Sequence, residues 1–265
     1  MRIALFTSNQ PRHIALAERL STLSDDVTVI FECNTVFPGE VQDFFNKSDV
    51  MQSYFKQVMA AEQHYFGHRR LTPKNIRVMP IKSGDLNRLS QDDLKEVISA
   101  DVIVVFGSSF IKGWLADVLV EKQTINIHMG TSPYYRGSSC NFWAVYDGNP
   151  AMVGATIHLL SKGLDSGPIL LHAVPKFAGE DPFLFTMKAV VTAFDGLEAL
   201  IQDPGWRGSP AVGQDKSLEI RYTRNSDFTD AVAFDFLNRK ITSKQLDQMF
   251  SSSLNPTLIH STYCP

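Results

Sequence analysis

The sequence has few cysteines and no long apolar run. The first shortage argues against a disulfide-rich or cysteine-bound metal protein, and the second argues against a membrane-spanning one. The three cysteines, Cys33, Cys140 and Cys264, share no metal-type spacing, and such a sparse, odd set is typical of reduced thiols in a cytosolic protein. No run of about 18 apolar residues occurs, so we predict no membrane span. The first apolar run is too short for a signal peptide. We therefore expect a cytoplasmic protein.

The chain also lacks a surplus of basic residues and a dinucleotide-binding fingerprint. With 25 Lys and Arg against 28 Asp and Glu, the net charge is −3, which gives the chain as a whole no electrostatic attraction for nucleic acid. No Gly-x-Gly-x-x-Gly follows the first predicted strand, so a dinucleotide site is not indicated. His64 and His68 stand four positions apart, but no zinc motif accompanies them, and we predict no metal site.

What the chain does contain is the alternation of strand and helix patterns that is typical of an α/β protein. Arg2 to Thr7 and Asp26 to Phe31 are predicted strands on either side of an amphipathic helix from Ile14 to Leu23. Asp101 to Phe106 is continuously apolar after its first residue, as a central parallel strand should be. We therefore predict a Rossmann-like, doubly wound, mostly parallel sheet with helices on both faces.

Two regions depart from this regular alternation. Phe37 to Arg70 is irregular at first and becomes helical from Asp49. After Trp206, Gly, Ser and Pro recur and strand signals become few. We assign residues 1–206 to one catalytic domain and residues 207–265 to a small C-terminal extension packed on its core.

Thr124 to His128 is a predicted strand that ends in a turn rich in glycine and proline. Alternate side chains of a strand share a face, so Asn126 and His128 lie side by side. Ligands of open α/β sheets bind beyond the carboxyl ends of the strands, which places this pair at such a site. A carboxylate, Asp165, follows in the segment from Gly163 to Gly167. Taken singly, each residue has an ordinary alternative role: a surface amide, a core imidazole and a turn carboxylate.

The motifs around these residues resemble those of one known family. They are Asn126-x-His128, Pro133, Arg136-Gly137, Gly154-x-Thr156-x-His158 and Leu164-Asp165-x-Gly167-x-Ile169. In this set, from about Ala100 to about His172, the chain resembles the formyltetrahydrofolate-dependent formyltransferases. The resemblance is weaker over the first hundred residues and poor after Trp206. It implies transfer of a formyl group from 10-formyltetrahydrofolate to a primary amine, without a metal.

The resemblance also implies roles for individual residues. Asn126, His128 and Asp165 correspond to the family's catalytic set. The residues carried over to the folate pocket are Ser109, Phe110, Ile111, Lys112, Leu160 and Gly163, and those carried over to the acceptor side are Thr131, Ser132 and Arg136. Alternatively, the loop around Phe110 is a simple connection with Phe110 tucked into the core, and Arg136 bonds loop carbonyls. We interpret His158 as a hydrogen-bonded, structural residue rather than a catalytic one.

One departure from the family pattern concerns the acceptor. Many relatives have His-Pro-Ser-Leu-Leu-Pro where this chain has His128 to Pro133, and their serine position is Gly130 here. A nucleotide-linked amino sugar is our preferred acceptor, because the net charge is negative, no tRNA-type C-terminal barrel is indicated, and the Phe37–Arg70 region is enlarged. Methionyl-tRNA is the second choice of acceptor and glycinamide ribonucleotide the third. A formyltetrahydrofolate hydrolase and a non-catalytic folate-binding protein are the alternatives, and a homodimer is left open.

Overall fold

A computed structural model describes residues 1–33, 44, 47–68 and 71–259 of the chain. Its strands are β1 (Arg2–Ser8), β2 (Asp26–Cys33), β3 (Ile76–Lys82), β4 (Val102–Phe106), β5 (Ile125–His128), β6 (Tyr135–Gly137), β7 (Ala155–Leu159), β8 (Ile169–Ala173) and β9 (Arg221–Thr223). Seven of them form one sheet in the order β3-β2-β1-β4-β5-β7-β8. The first five strands in this order are parallel to one another. Strand β7 pairs antiparallel with β5, and β8 pairs antiparallel with β7.

Helices cover both faces of this sheet. They are α1 (Pro11–Leu20), α2 (Asp49–Phe66), α3 (Lys95–Ile98), α4 (Gly113–Glu121), α5 (Cys140–Tyr146), α6 (Pro182–Gln202), α7 (Asp230–Arg239) and α8 (Ser243–Ser252). Leu5 of β1 belongs to the apolar cluster that contains residues of α1 and α6, whereas its neighbour Phe6 belongs to the cluster that contains residues of α3 and α4. Because side chains alternate along a strand, the two clusters lie on opposite faces. The predicted Rossmann-like, doubly wound, mostly parallel sheet is confirmed.

The boundaries of several elements differ from the predicted ones for local reasons. Helix α1 begins at Pro11, three residues earlier than predicted, because proline is well suited to the first turn of a helix. Asp181 caps α6 as its sequence pattern indicates, accepting hydrogen bonds from two backbone amides of the first turn. Ser90 is followed three residues later by Asp93, a spacing that predicts a helix start at Ser90, and this prediction is wrong. Ser90 and Asp93 do exchange hydrogen bonds, but they close a turn, and the helix begins only at Lys95.

The C-terminal part of the described chain lies against the α/β core. Strand β9 pairs with β6, and Phe236 of α7 is buried beside Tyr54 and Phe142. The division at residue 206 stays a prediction. Part of the region predicted to be enlarged (residues 37–43, 45–46 and 69–70) and Cys264 lie outside the described residues. Within the described ranges, no helix combines the length and the apolar character that a membrane crossing requires.

Candidate active site

A cleft of about 280 Å³ opens where β4 and β5 end. Asn126, His128 and Asp165 all line it, together with the loop that follows Phe106. Parallel strands direct their carboxyl ends to the same edge of a sheet, which is why the loops after β4 and β5 meet there. The strand pattern predicts Asn126 and His128 at this edge, and the structure brings Asp165 to the same place.

The three polar side chains form one connected network. His128 Nδ1 lies 3.2 Å from Asp165 Oδ2, and Asn126 Nδ2 lies 3.2 Å from Asp165 Oδ1, so the carboxylate contacts both partners. Asp165 lies in a loop, and its own backbone φ of 44° falls in the left-handed region, where residues other than glycine are uncommon. Gln214 Nε2 donates hydrogen bonds to the backbone oxygens of Asp165 and Gly167, at 2.9 and 2.8 Å. These bonds hold the loop in place.

Opposite charges stabilise each other within this network. Burial raises the pKa of Asp165, but the adjacent His128 outweighs it and lowers that pKa to about 2. Burial likewise disfavours the charged imidazole, yet the Asp165 carboxylate raises the pKa of His128 well above its ordinary value. At neutral pH the pair is therefore a carboxylate and an imidazolium, and His128 carries protons on both ring nitrogens.

His158 has a different protonation state from His128, although it lies on the neighbouring strand. Its Nδ1 donates to the Leu159 carbonyl oxygen at 2.8 Å, which leaves Nε2 as the acceptor of the Asn126 amide at 2.9 Å. Burial lowers the pKa of His158 to about 4, so the ring is neutral. Its contacts fit the structural role predicted from the sequence: it orients the amide of Asn126.

The loop after β4 is fixed by two residues that the sequence analysis did not identify. Glu32 accepts the Ser109 N–H at 2.5 Å, and Asn87 bonds both the Phe110 carbonyl oxygen and the Lys112 N–H at 2.8 Å. Both lie far from this loop in sequence, and no local motif marks them. Three backbone groups of the loop are therefore already engaged within the protein and are not free to contact a ligand.

The structure places most of the predicted folate-pocket residues along the cleft. Those that line it are Ser109, Phe110, Ile111, Leu160 and Gly163. Lys112 does not line the cleft, because it follows the part of the loop that faces the opening. Phe110 is 52% exposed and is not tucked into the core, which removes the alternative role proposed for it from sequence.

The predicted acceptor residues lie elsewhere. Thr131 and Ser132 are fully buried: Thr131 Oγ1 donates to the Met152 carbonyl oxygen, and Ser132 N donates to Thr156 Oγ1. Arg136 pairs with Glu219, Nη1 to Oε2, at 2.9 Å. None of the three lines the cleft, because they secure the turn after β5 to neighbouring segments. Their assignment to the acceptor stays a prediction that this geometry does not favour.

Gly130 and Cys140 pack against each other beside the imidazole. A Cβ atom on Gly130 would lie 2.5 Å from Cys140 Cβ and 2.9 Å from His128 Nε2, closer than atoms can pack. Cys140 Sγ itself lies 3.5 Å from His128 Nε2. The side chain of Cys140 thus excludes the serine that many relatives carry at the position of Gly130.

Comparison with known proteins now identifies the family. A family model described as formyl transferase matches residues 1–183. The chain belongs to the formyl transferase family. The residues that the structure describes contain no group of three or more His, Cys, Asp or Glu side chains placed to hold a metal ion.

Individual relatives match only part of their own length. The chain is 31% identical over 103 residues to mitochondrial formyltetrahydrofolate deformylase 2 of Arabidopsis thaliana, covering 37% of this chain and 29% of that protein. It is 38% identical over 85 residues to methionyl-tRNA formyltransferase of Koribacter versatilis, covering 32% and 27%. The alignments thus span less than a third of these two relatives.

Solved structures share the fold over most of this chain. A sugar N-formyltransferase from Shewanella superposes with a TM-score of 0.51 at 18% identity, covering 86% of this chain and 78% of the other. An N-formyltransferase from Helicobacter canadensis superposes with a TM-score of 0.53 at 16% identity, covering 86% and 72%. At such low identity the likeness establishes the fold alone.

Proposed function

We propose that this formyl transferase moves a formyl group from 10-formyltetrahydrofolate to a primary amine. The observation that carries the proposal is the contact between Asn126, His128 and Asp165 at the cleft of a member of this family. Attack of an amine on the formyl carbon develops negative charge on the formyl oxygen. Fixed donors aimed at that oxygen supply the main catalytic effect in such reactions.

The donors for this oxygen are the amide of Asn126 and the imidazolium of His128. In the structure each is already engaged: the amide contacts His158 and Asp165, and the imidazolium contacts Asp165 and Cys140. The longer contact of the amide is the one to Asp165 at 3.2 Å, and the longer contact of the imidazolium is the one to Cys140 at 3.5 Å. We infer that the formyl oxygen takes over one or both of these donors when the folate binds.

Asp165 acts mainly by keeping His128 charged. A carboxylate whose pKa is about 2 is a weak base, so it is a poor acceptor for the proton of the attacking amine. Its contact with His128 instead maintains the imidazolium that donates to the formyl oxygen. The amine proton then leaves through water, and the released folate nitrogen gains a proton.

For the acceptor, a nucleotide-linked amino sugar remains our proposal. A cavity of about 270 Å³ lies near the catalytic cleft and shares Met129 and Ser139 with it. Its walls include the rings of Tyr54, Phe142 and Phe228. Aromatic walls of this kind suit stacking with a nucleobase. The Helicobacter canadensis structure was solved with folinic acid and dTDP-3-aminofucose, which supports the same pairing of folate and nucleotide sugar here.

Hydrolysis of the same folate is the second candidate. It is favoured by the stretch that is 31% identical to a formyltetrahydrofolate deformylase, because water can replace the amine in the same network. Methionyl-tRNA is a further acceptor to test, since methionyl-tRNA formyltransferases also match part of this chain.

The test is a comparison of acceptors with the purified chain and 10-formyltetrahydrofolate. The acceptors are dTDP-3-aminofucose, glycinamide ribonucleotide, charged initiator tRNA and none, and the readouts are tetrahydrofolate, formate and the mass of the formylated product. We expect a formylated amino sugar. Formate release that is independent of any amine would establish the hydrolase instead, and folate binding without turnover would refute catalysis altogether.

We expect Phe110→Asp to weaken tetrahydrofolate binding at least about tenfold, because the change removes apolar cover worth about 1.5–3 kcal/mol when fully buried by a ligand. Since the side chain is half exposed in the free protein, the melting temperature should change little. Fluorescence titration measures the affinity. Phe234→Asp is the matched control, because Phe234 is similarly exposed but lies on α7, outside the cleft. Equal tetrahydrofolate affinities in the two variants would show that the loop around Phe110 has only a structural role.

A further inference from the structure

A further cavity, different from the aromatic-walled one described above, adjoins the catalytic cleft at the start of α1. Its volume is about 250 Å³, and Phe106, Gly107 and Met129 line both it and the cleft. The remaining walls come from the end of β1 and the first turn of α1, including Arg12 and His13. A molecule in this cavity would therefore lie next to a formyl group held in the cleft.

His13 presents a hydrogen-bond acceptor to this cavity. The Thr7 hydroxyl donates to the Phe106 carbonyl oxygen at 2.6 Å, so it can only accept from His13 Nδ1, which lies 2.7 Å away. The proton of the neutral ring is thus on Nδ1, and Nε2 carries a lone pair. His13 is 3% exposed, and its Nε2 makes no hydrogen bond within the part of the chain that the structure describes.

The neutral state of His13 follows from its surroundings. Burial lowers the pKa of His13 well below its ordinary value, and the positive charge of Arg12 lowers it further. The ring stacks on Phe106 with centroids 4.7 Å apart, and Gly107 leaves room for it, since a Cβ there would lie 2.4 Å from His13 Cε1. The ring is thus oriented by Thr7 and Phe106, and its Nε2 lone pair can accept a hydrogen bond from a molecule in the cavity that it lines.

The charges near the cavity indicate what kind of group it does not hold. Glu62, 5% exposed, accepts hydrogen bonds from the Arg12 backbone N–H at 3.2 Å and from Arg12 Nη1 at 2.7 Å. A helix N-terminus ordinarily attracts phosphates and carboxylates, but here a carboxylate of the protein already occupies that position. An incoming phosphate would have to displace Glu62. The cavity suits a group that is uncharged and carries N–H or O–H donors.

We propose that this cavity receives the uncharged, amine-bearing end of the formyl acceptor, and that His13 Nε2 accepts a hydrogen bond from its N–H or O–H. The inference rests on the proposed formyl transfer. A neutral amine has two N–H donors and one lone pair. An imidazole acceptor binds an N–H and leaves the amine lone pair free to face the formyl carbon. His13 is then a determinant of acceptor binding and orientation, separate from the residues that bind the folate.

Two conservative substitutions separate this role from a merely structural one. In His13→Asn the amide lies near the position of Nδ1, which retains the bond to Thr7 and removes the acceptor at Nε2. In His13→Gln the amide lies near the position of Nε2 and the bond to Thr7 is lost. With dTDP-3-aminofucose as the probe, we expect kcat/KM for this acceptor to fall about tenfold in His13→Asn, as for one lost hydrogen bond, and less in His13→Gln. The KM for 10-formyltetrahydrofolate should stay within about twofold in both.

The opposite ranking, or equal loss in KM for both substrates, would show that His13 only supports the fold. Should neither variant fold, as judged by thermal melting and tetrahydrofolate binding, nitrogen NMR of the histidines in the unaltered protein decides. Addition of dTDP-3-aminofucose should shift the Nε2 resonance of His13, and an unchanged resonance would overturn the proposal. If another acceptor in the comparison is the one formylated, it replaces the probe. If none is formylated, the proposed function itself fails, which is a distinct result.

Discussion

Asp165→Asn should abolish turnover while leaving tetrahydrofolate affinity nearly unchanged. The substitution keeps the shape of the side chain but removes the charge that holds His128 as an imidazolium. We expect kcat to fall at least about 10³-fold, the order found when an amide replaces the carboxylate beside a catalytic imidazole. Steady-state kinetics and a tetrahydrofolate titration on the same preparation measure the two effects.

The same substitution should also change the pH dependence of whatever activity remains. The raised pKa of His128 keeps its proton to higher pH than an ordinary imidazole, so activity in the unaltered protein should be lost only as pH rises through that raised value. Without the carboxylate, burial lowers the pKa of the ring, and only the weaker influence of Cys140 opposes it. The basic limb of the kcat profile should therefore move to lower pH.

A surface carboxylate provides the control for this experiment. Asp117 pairs with Lys162 at 2.6 Å, but both side chains are largely exposed, so Asp117→Asn should leave kcat, the pH profile and the melting temperature close to those of the unaltered protein. If Asp165→Asn kept activity within tenfold of this control, Asp165 would have no part in the mechanism.

Asn126→Ala should reduce kcat about 10²–10³-fold, the typical effect of losing one donor to a developing oxyanion. The alanine also leaves His158 Nε2 without its hydrogen bond, so some loss of stability, of about 1–3 kcal/mol, is expected as well. Kinetics and thermal melting separate the two consequences, because tetrahydrofolate binding should persist if the fold does.

Thr124→Val is the matched control for Asn126→Ala. Thr124 is fully buried immediately before β5, and its hydroxyl has no hydrogen-bond partner among the described residues. Valine has nearly the same shape and removes this unsatisfied hydroxyl, so activity should be kept and stability should not fall. A loss of activity as large as that of Asn126→Ala would mean that any change at this buried site disturbs the cleft.

The sequence was sufficient where short-range rules determine the outcome. Asn126 and His128 were predicted to share a face because strand side chains alternate, and the structure brings both to the cleft. Asp165 could be placed only through resemblance to the family, because a carboxylate in a glycine-rich turn has no distinctive local pattern. The parallel sheet followed from continuous apolar strands that alternate with amphipathic helices.

The supporting residues could not have been found in this way. Glu32 and Asn87 hold the loop after β4 through contacts that form only once distant strands pair, and Gln214 reaches the Asp165 loop from the C-terminal part of the chain. Conversely, the turn after β5 contains polar residues that look available in sequence. Thr131 and Ser132 are in fact buried in the interior, where the Thr131 hydroxyl donates to the Met152 carbonyl oxygen and the Ser132 backbone N–H donates to Thr156 Oγ1.

The close fit of Gly130 against Cys140 means that a larger residue cannot be introduced at position 130 while Cys140 stays unchanged. A serine at position 130, introduced alone, meets a Cβ atom that is anchored to a helix and an imidazole that is held by a carboxylate, so neither neighbour can retreat freely. A glycine at position 140 would remove the closest of these contacts, but Nε2 of His128 would still lie 2.9 Å from the new Cβ atom. Introducing a relative's serine at position 130 therefore requires a change at position 140 together with a movement of the imidazole that the proposed reaction uses.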